Sequence, residues 1–521
     1  MRTSSTLRTL FSRELERLSR IEHDTLYRMK SYEILKTFWT SRRYSCEFVN
    51  NDNVPVPLFA VEFSRTAGAG QIIATCDEDG YVTLIDTSKS SSFGTRENGW
   101  CSADFRRNIV GNRKEFGSIP HESTSDVPIV SFQVHENAIF SLCWLGLQDQ
   151  WIATASGDQK VKVFDVNRHT IVNTLVGHLG SIKTIKEKHM TDGKVLASAS
   201  RDGNVMLWDT RCQGLCNQET GDLVLRPVLI LKDAHRKEMN IPYKRENITK
   251  RARYTIHQKK NSMKQNIPHG VTGLVFAPFN DSSFLYTSGA VDGAVKLWDL
   301  RKPNSKHYPA EALTTIYPGC QEGFTYRPHG ISSLDITADG SNLCVSSTDS
   351  NIYLYKTGLL DRGSFMSLRG HTSSSFYIKA CFSPDGHYVL SGSADSHAYV
   401  WDIKPSSSHP VKANFPSLRL PAHKNEVTDV AWCKVDTKLA TVGDDCQLKF
   451  WQTRNRQEEQ CTVYESQYVQ AETTPEEKQN SLLFELNRQV NRQLETTKPE
   501  STNTLLTYFE KPIPRCCAAS H

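Results

Sequence analysis

The chain has no run approaching the ~18 consecutive apolar residues that a membrane-crossing helix needs, and its mean hydropathy is −0.47. No membrane is therefore expected among its partners. It also lacks a strong charge imbalance, with 62 Lys and Arg against 57 Asp and Glu in 521 residues, a net charge of +5. Wholesale nucleic-acid binding is not expected, and any such role must come from a local patch. Its 14 cysteines, Cys76, Cys143, Cys344, Cys381 and Cys433 among them, show no Cys-x-x-Cys spacing. That scatter excludes a zinc framework and fits reduced, buried thiols of the cytosol or nucleus rather than disulfides. No glycine-rich phosphate loop, no His-Glu-x-x-His and no isolated carboxylate pair is present, so no cofactor, metal or small-molecule substrate is expected. The Arg- and Ser-rich beginning has Glu14, Glu16, Glu22 and Asp24, acids that a transit peptide avoids. Cys517 stands fifth from the last residue, out of register with a prenylation signal.

What the chain does have is repetition. Leu196 to Arg211 reads LASASRDGNVMLWDTR, and the pattern returns at Tyr286 to Arg301 as YTSGAVDGAVKLWDLR. A small or hydroxyl residue precedes an Asp by four positions, a tight turn follows, and six positions past the Asp an alternating strand ends in an aromatic. The same grammar pairs Asp79 with Ile85, Asp158 with Phe164, Asp202 with Trp208, Asp292 with Trp298, Asp349 with Tyr355, Asp395 with Trp401 and Asp445 with Trp451, seven copies in all. Successive Asp positions are 79, 44, 90, 57, 46 and 50 residues apart, so one unit recurs with long additions after the first and third. Units of this period are blades that cannot bury their own faces, and stacking in a closed ring supplies the core. The expected fold is all-β, a seven-bladed β-propeller over residues 54–454.

His135, His178, His269, His329, His371 and His423 each stand where they would open a blade. His371, Ser391 and Asp395 could be taken for a hydrolase set. The same set recurs as His178, Ser198, Asp202 and as His423, Thr441, Asp445, and a catalytic constellation would occur once. A hydrogen-bond network tying each opening loop to its Asp turn and its Trp explains the recurrence. No catalytic residue and no enzyme activity is expected.

Two residues lie outside that grammar. Arg211 and Arg301 follow Asp209 and Asp299 by two positions, in WDTR at 208–211 and WDLR at 298–301. The core does not need them, and a guanidinium at the rim can make bidentate contacts. The propeller resembles the WD-repeat family, and the double WDxR resembles the signature by which WD-repeat receptors dock on the triple-propeller adaptor of cullin-4 RING ubiquitin ligases. Within that group the chain resembles the denticleless family. SASRDGNVMLWDTRC at 198–212, SGAVDGAVKLWDLRK at 288–302, TDSNIYLYKTGL at 348–359, GHTSSSFYIKACFSPDG at 370–386 and HKNEVTDVAWC at 423–433 carry that likeness, with the Tyr317-Pro318-Gly319 turn and the run Ser375 to Lys379. The resemblance implies a non-catalytic substrate-recognition subunit that directs DNA-replication and cell-cycle regulators to ubiquitin-dependent degradation. It gives Asp209, Arg211, Asp299 and Arg301 the adaptor contact.

Four other segments fall outside the blades. Residues 236–264 hold ten Lys and Arg, Lys244, Arg245, Lys250, Arg251 and Arg253 among them, against Glu238 and Glu246. This basic insertion reads as a nuclear localisation signal or a DNA contact. Residues 88–125 form a polar, Ser-rich insertion. Within residues 1–50, apolar positions from Leu7 to Phe38 recur near helical spacing and predict a helical extension. Residues 455–521 read as a flexible tail in which Leu505, Tyr508 and Phe509, within 502–509, match a sliding-clamp-binding motif, with Thr502 where that motif prefers Gln. Expected partners are the cullin-4 adaptor, the sliding clamp and clamp-bound proteins, in the nucleus. The competing reading is a WD-repeat scaffold of a nuclear chromatin or RNA-processing complex.

Overall fold

A computed structural model of the chain describes residues 38–41, 45–50, 54–66, 70–87, 129–189, 191–218, 221–235, 269–278, 283–302, 311–319, 328–403, 415–421, 423–435, 438–453, 463–465 and 467–468. All belong to the compact unit Met1–Val469. They form seven sheets, each built on four antiparallel strands.

The inner strands are Leu58–Phe63, Ile139–Leu145, Ile182–Glu187, Val271–Phe276, Ile331–Ile336, Ala380–Phe382 and Val427–Trp432. Each packs on the next, and the last packs on the first, so the ring closes. Thr428 Oγ1 donates to the carbonyl of Leu58 at 2.7 Å, and the Val61 amide donates to Asp429 at 3.0 Å across that seam. A buried apolar cluster fills each of the seven interfaces between neighbouring blades. The third strands carry the aromatic positions of the repeat, and Trp208, Trp298, Trp401 and Trp451 are all core residues.

Blade seven supplies only three strands of its own, Val427–Trp432, Lys438–Gly443 and Gln447–Thr453. Its fourth comes from the other end of the chain. Phe38–Ser41 pairs antiparallel with Gln447–Thr453, Phe38 opposite Thr453, and Ser45–Glu47 continues along the same partner. Phe38 is buried in the cluster that holds Trp451, Leu418 and Leu420. Val463–Glu465 adds to Phe38–Ser41, and Gln467–Tyr468 adds to Leu418–Leu420 of blade six. Two expectations are corrected here. Helical spacing carried the extension through residue 50, but Phe38–Ser41 and Ser45–Glu47 are strands, because the open edge of the last blade offers a ladder and a core slot. The tail expected from residue 455 likewise contributes strands at 463–468. Residues 1–37, both long insertions and the clamp-like motif lie outside the described residues.

The registers define two faces. In blade three Ile182 pairs with Ser200 and Glu187 with Leu196, while Val195 pairs with Asp209 and Ala199 with Val205. The start of the inner strand and the Asp202 turn therefore share one face, called here the turn face. Asp209 and the loop after Glu187 lie on the other, the arginine face. Blade four repeats the arrangement, with Phe284 opposite Asp299 and Val271 opposite Gly289.

Candidate functional site

The recurring His sets are structural networks. In blade three His178 Nδ1 lies 3.0 Å from Asp202 and Nε2 2.8 Å from Ser198, whose Oγ accepts the Trp208 indole N–H at 2.8 Å. Blade seven repeats this with His423, Asp445, Thr441 and Trp451 at 2.9, 2.7 and 3.1 Å. Blade two uses His135, Asp158 and Thr154, with Phe164 in place of the indole. The indole donates to the hydroxyl and the carboxylate accepts from Nδ1–H, which leaves Nε2 and the hydroxyl to bond each other. Burial lowers His135 and His423, against the pull of their carboxylates. Burial is the largest influence on Asp202 and Asp445 and would raise both, but the bonds and charges of His178 and His423, joined by the backbone donors of Leu179 and Asn204 and of Lys424, together outweigh it and hold both carboxyls low.

Three of the six expected histidines are corrected. In blade four the partner of Asp292 is His235, at 2.8 Å, with Thr287 at 2.9 Å; the nearer His269 is not used. The basic insertion falls between His235 and its blade, which hides the spacing. His329 is exposed, and in blade five Tyr353 donates to Asp349 at 2.6 Å instead. In blade six Tyr399 takes Asp395 at 2.6 Å, Ser391 donates to the Gly392 carbonyl, and the Trp401 indole donates to the Arg369 carbonyl. His371 is buried edge-on to Trp401 with neither ring nitrogen bonded, and burial holds it down at about 4. The triad-like set of blade six is not assembled.

The residues outside the grammar stand on the arginine face. Arg211 donates from Nε and Nη2 to the two oxygens of Asp209 at 2.8 and 2.6 Å, and its amide caps the same carboxylate at 3.0 Å. Arg301 repeats the fork on Asp299 at 2.9 and 3.0 Å, with its amide again at 3.0 Å. Both guanidiniums are open, 64 % and 63 % exposed at the side chain. The bonds from Arg211 and Arg301 hold the carboxyls of Asp209 and Asp299 low. Each Asp therefore fixes the orientation of its Arg rather than reaching outward itself. Two like forks in adjacent blades, each oriented by a chelate, thus leave a guanidinium open to solvent on the same face. Arg301 also lies 5.2 Å from the Phe284 ring.

Other expected site residues lie outside the described residues: Lys244, Arg245, Lys250, Arg251 and Arg253 of the basic insertion, and Leu505, Tyr508 and Phe509 of the tail. Cys212 and Cys216, beside the Arg211 fork, are exposed free thiols, whereas Cys46, Cys76, Cys143, Cys344, Cys433 and Cys446 are buried. Among the described residues no group of three His, Cys, Asp or Glu is placed to hold a metal ion, and no helix is long and apolar enough to cross a membrane.

The sequence compares well with known proteins. The family model for "WD domain, G-beta repeat" matches residues 126–165, 169–209, 261–299, 320–356, 363–402 and 415–452. Denticleless protein homolog B of Xenopus laevis is 32% identical over 420 residues, covering 80% of this chain and 50% of the frog protein. The human denticleless protein homolog is 32% identical over 413 residues, 78% of this chain and 48% of that protein. Protein lethal(2)denticleless of Drosophila melanogaster is 31% identical over 402 residues, 77% and 45%. The chain thus spans about half the length of the curated relatives it matches. Repeat grammar, ring geometry and these likenesses agree: the chain belongs to the denticleless family of WD-repeat proteins.

Proposed function

We propose that this chain is a non-catalytic substrate receptor of a cullin-4 RING ubiquitin ligase. The observation that carries the reading is the pair of Asp–Arg forks, Asp209–Arg211 and Asp299–Arg301, whose guanidiniums stand exposed on one face of adjacent blades, where the core has no use for them. Docking through that face leaves the turn face open for substrate. The receptor then acts by position: holding a substrate lysine near a charged ubiquitin-conjugating enzyme raises its effective concentration without chemistry by the propeller. The substrates proposed are DNA-replication and cell-cycle regulators on the sliding clamp, in the nucleus, where the basic insertion would direct the protein.

The test is Arg211→Ala combined with Arg301→Ala. Both side chains are open to solvent and pack in no core cluster, so the melting temperature should stay at the wild-type value while co-purification of the triple-propeller adaptor is lost. Undiminished adaptor recovery by the double variant would sink the reading, and splicing or histone-modifying subunits in its place would favour the scaffold alternative. The tail is tested separately. A peptide of residues 498–515 should bind the sliding clamp and lose at least about tenfold in affinity when Tyr508 and Phe509 are both changed to Ala, since apolar anchors of this kind carry about 2 kcal/mol or more. Equal binding by both peptides would remove the clamp from the proposal.

A further inference from the structure

The inner strands carry a feature outside both the blade grammar and the arginine forks. In six blades the register of the inner strand slips once, between Leu58 and Ala60, Ile139 and Ser141, Ile182 and Thr184, Val271 and Gly273, Ile331 and Ser333, and Val427 and Asp429. A bulge re-aims the side chain of its extra residue. The residues re-aimed are Phe59, Phe140, Lys183, Thr272, Ser332 and Thr428, all at the turn-face end of the inner strands, around the mouth of the central channel. In blade six Lys379 takes the equivalent place, just before Ala380–Phe382.

This ring is divided. Thr272 donates to the Ile331 carbonyl, Ser332 to Ser346, and Thr428 to the Leu58 carbonyl, so blades four, five and seven spend their hydroxyls on strand-to-strand bonds. Blades one to three present Phe59, Phe140 and Lys183 instead. Tyr377, from a turn ahead of the inner strand of blade six, lies over them, with ring centroids 5.2 Å from Phe59 and 5.9 Å from Phe140. Lys183 Nζ stands 3.3 Å above the centre of Phe140 and 5.2 Å from that of Tyr377. Lys379 is used up beneath, bonded to Asp429 and to the carbonyls of Phe59 and Phe140.

Lys183 and the exposed Arg201 have no carboxylate partner among the described residues. Burial above all, with the charges of Arg201 and Lys379 adding to it, brings Lys183 down to about 8. Apolar surface adjoins it on the same face: Phe376 and Tyr377 are 44 % and 40 % exposed, and Leu179 is 82 % exposed. Apolar rings beside unpaired cations fit a ligand that joins the opposite charge to an apolar side chain. A nucleic-acid backbone fits less well. It needs many cations, and the blade-one and blade-seven side of the same face is acidic, with Asp444 pushed up to about 6 by burial and by Glu426, Asp445 and Glu78.

We propose that the turn-face mouth formed by Phe59, Phe140, Lys183, Arg201 and Tyr377 is a binding site for a peptide segment of another protein, one that sets an Asp or Glu carboxylate on Lys183 and an apolar neighbour on Tyr377. The assignment does not depend on what the arginine face binds. The test uses the full chain and a displayed library of nine-residue peptides with Asp fixed at the central position. Enriched peptides are expected to lose about tenfold or more on Asp→Asn exchange, and to lose as much against Lys183→Glu. Binding should be unaffected by Arg211→Ala with Arg301→Ala, which separates this site from the proposed ligase contact. Should Lys183→Glu fail to fold, Lys183→Gln and the exposed Arg201→Ala give the same reading at smaller amplitude. Failure to enrich peptides, equal affinity of Asp and Asn forms, or Lys183 variants that melt and bind like wild type would overturn the proposal. Tighter binding of a dodecamer of thymidylate that is lost in the Lys183 variants would overturn it in favour of a nucleic-acid site.

Discussion

Deleting residues 1–50 should leave a chain that no longer unfolds in one cooperative step. The deletion strips blade seven of its fourth strand, Phe38–Ser41, and of Ser45–Glu47, so the Gln447–Thr453 strand loses both partners on that side. It also empties the cluster around Trp451 of the buried Phe38 ring, and the cluster between blades seven and one of Cys46 and Phe48. A propeller has no spare edge: an unsatisfied ladder at one blade exposes apolar surface and unpaired backbone at the seam. A milder change isolates the packing component. Phe38→Ala removes a ring that is 2% exposed and should cost about 3–5 kcal/mol. Urea unfolding followed by tryptophan fluorescence reads both variants, because Trp451 belongs to the cluster that is opened. Wild-type midpoints in the deletion, or a cost below about 1 kcal/mol for Phe38→Ala, would mean that the N-terminal strand decorates the ring rather than closing it.

The second large effect separates two histidines that look alike in sequence. His423→Leu should destabilise by about 2–4 kcal/mol, because Asp445, whose side chain is 3% exposed, loses its ring partner and keeps only backbone donors. His371→Leu should be within about 1 kcal/mol of wild type at pH 7, since the ring it removes satisfies no bond. Acid sharpens the contrast. The folded-state value of His371, about 4, lies below the ordinary ~6.5 of an exposed His. As pH falls from 7, the unfolded chain takes up that proton first, so the native histidine subtracts stability between those two values. Replacing it should therefore give a gain that grows to about 2 kcal/mol at pH 5. His135 and His423 are lowered too, and Asp158, Asp202 and Asp445 are held low, so each adds to acid lability: the histidine contributions fade below ~6.5 and the carboxylate ones below ~4. Thermal melts of both variants from pH 7.5 to 5 are the measurement. A His371→Leu protein that loses stability as steeply with acid as wild type would show that His371 is bonded after all.

Much of this architecture is written locally. An Asp turn followed six residues later by a buried aromatic, or by Ile85 in blade one, recurs with little distortion, so all seven blades can be counted before any coordinates exist. Six of the seven Asp anchors, from Asp158 to Asp445, accept the amide two positions on, a bond that depends only on neighbouring residues. In blade one the amide of Tyr81 goes to Asp77, two positions before the aligned Asp79. The exposed place of Arg211 and Arg301 is legible for the same reason, whereas the bonding of each guanidinium to the Asp two residues before it is seen only in the structure. What could not be read is non-local. His235 meets Asp292 across 57 residues, and the intervening insertion makes His269 look the better candidate. Phe38–Ser41 is four residues long and joins a strand at the far end of the chain, with no repeat beside it to announce it. The bulges leave no composition signal at all: Phe59, Lys183 and Thr428 share a place in the ring and nothing in their chemistry.

The seam of blade seven also sets an order of events. Phe38 can find Thr453 only after everything between them has been made, and at about 5–20 residues per second that intervening chain takes tens of seconds to emerge from a ribosome. Six blades can assemble while the seventh is still being synthesised, but each growing arc has an unpaired inner strand and an open apolar interface at its leading edge. Closure is the last step, and only then are the open ladder and the apolar interface at the seam satisfied. The interval before the ends meet is when the nascent protein is most exposed to aggregation and most in need of chaperone protection.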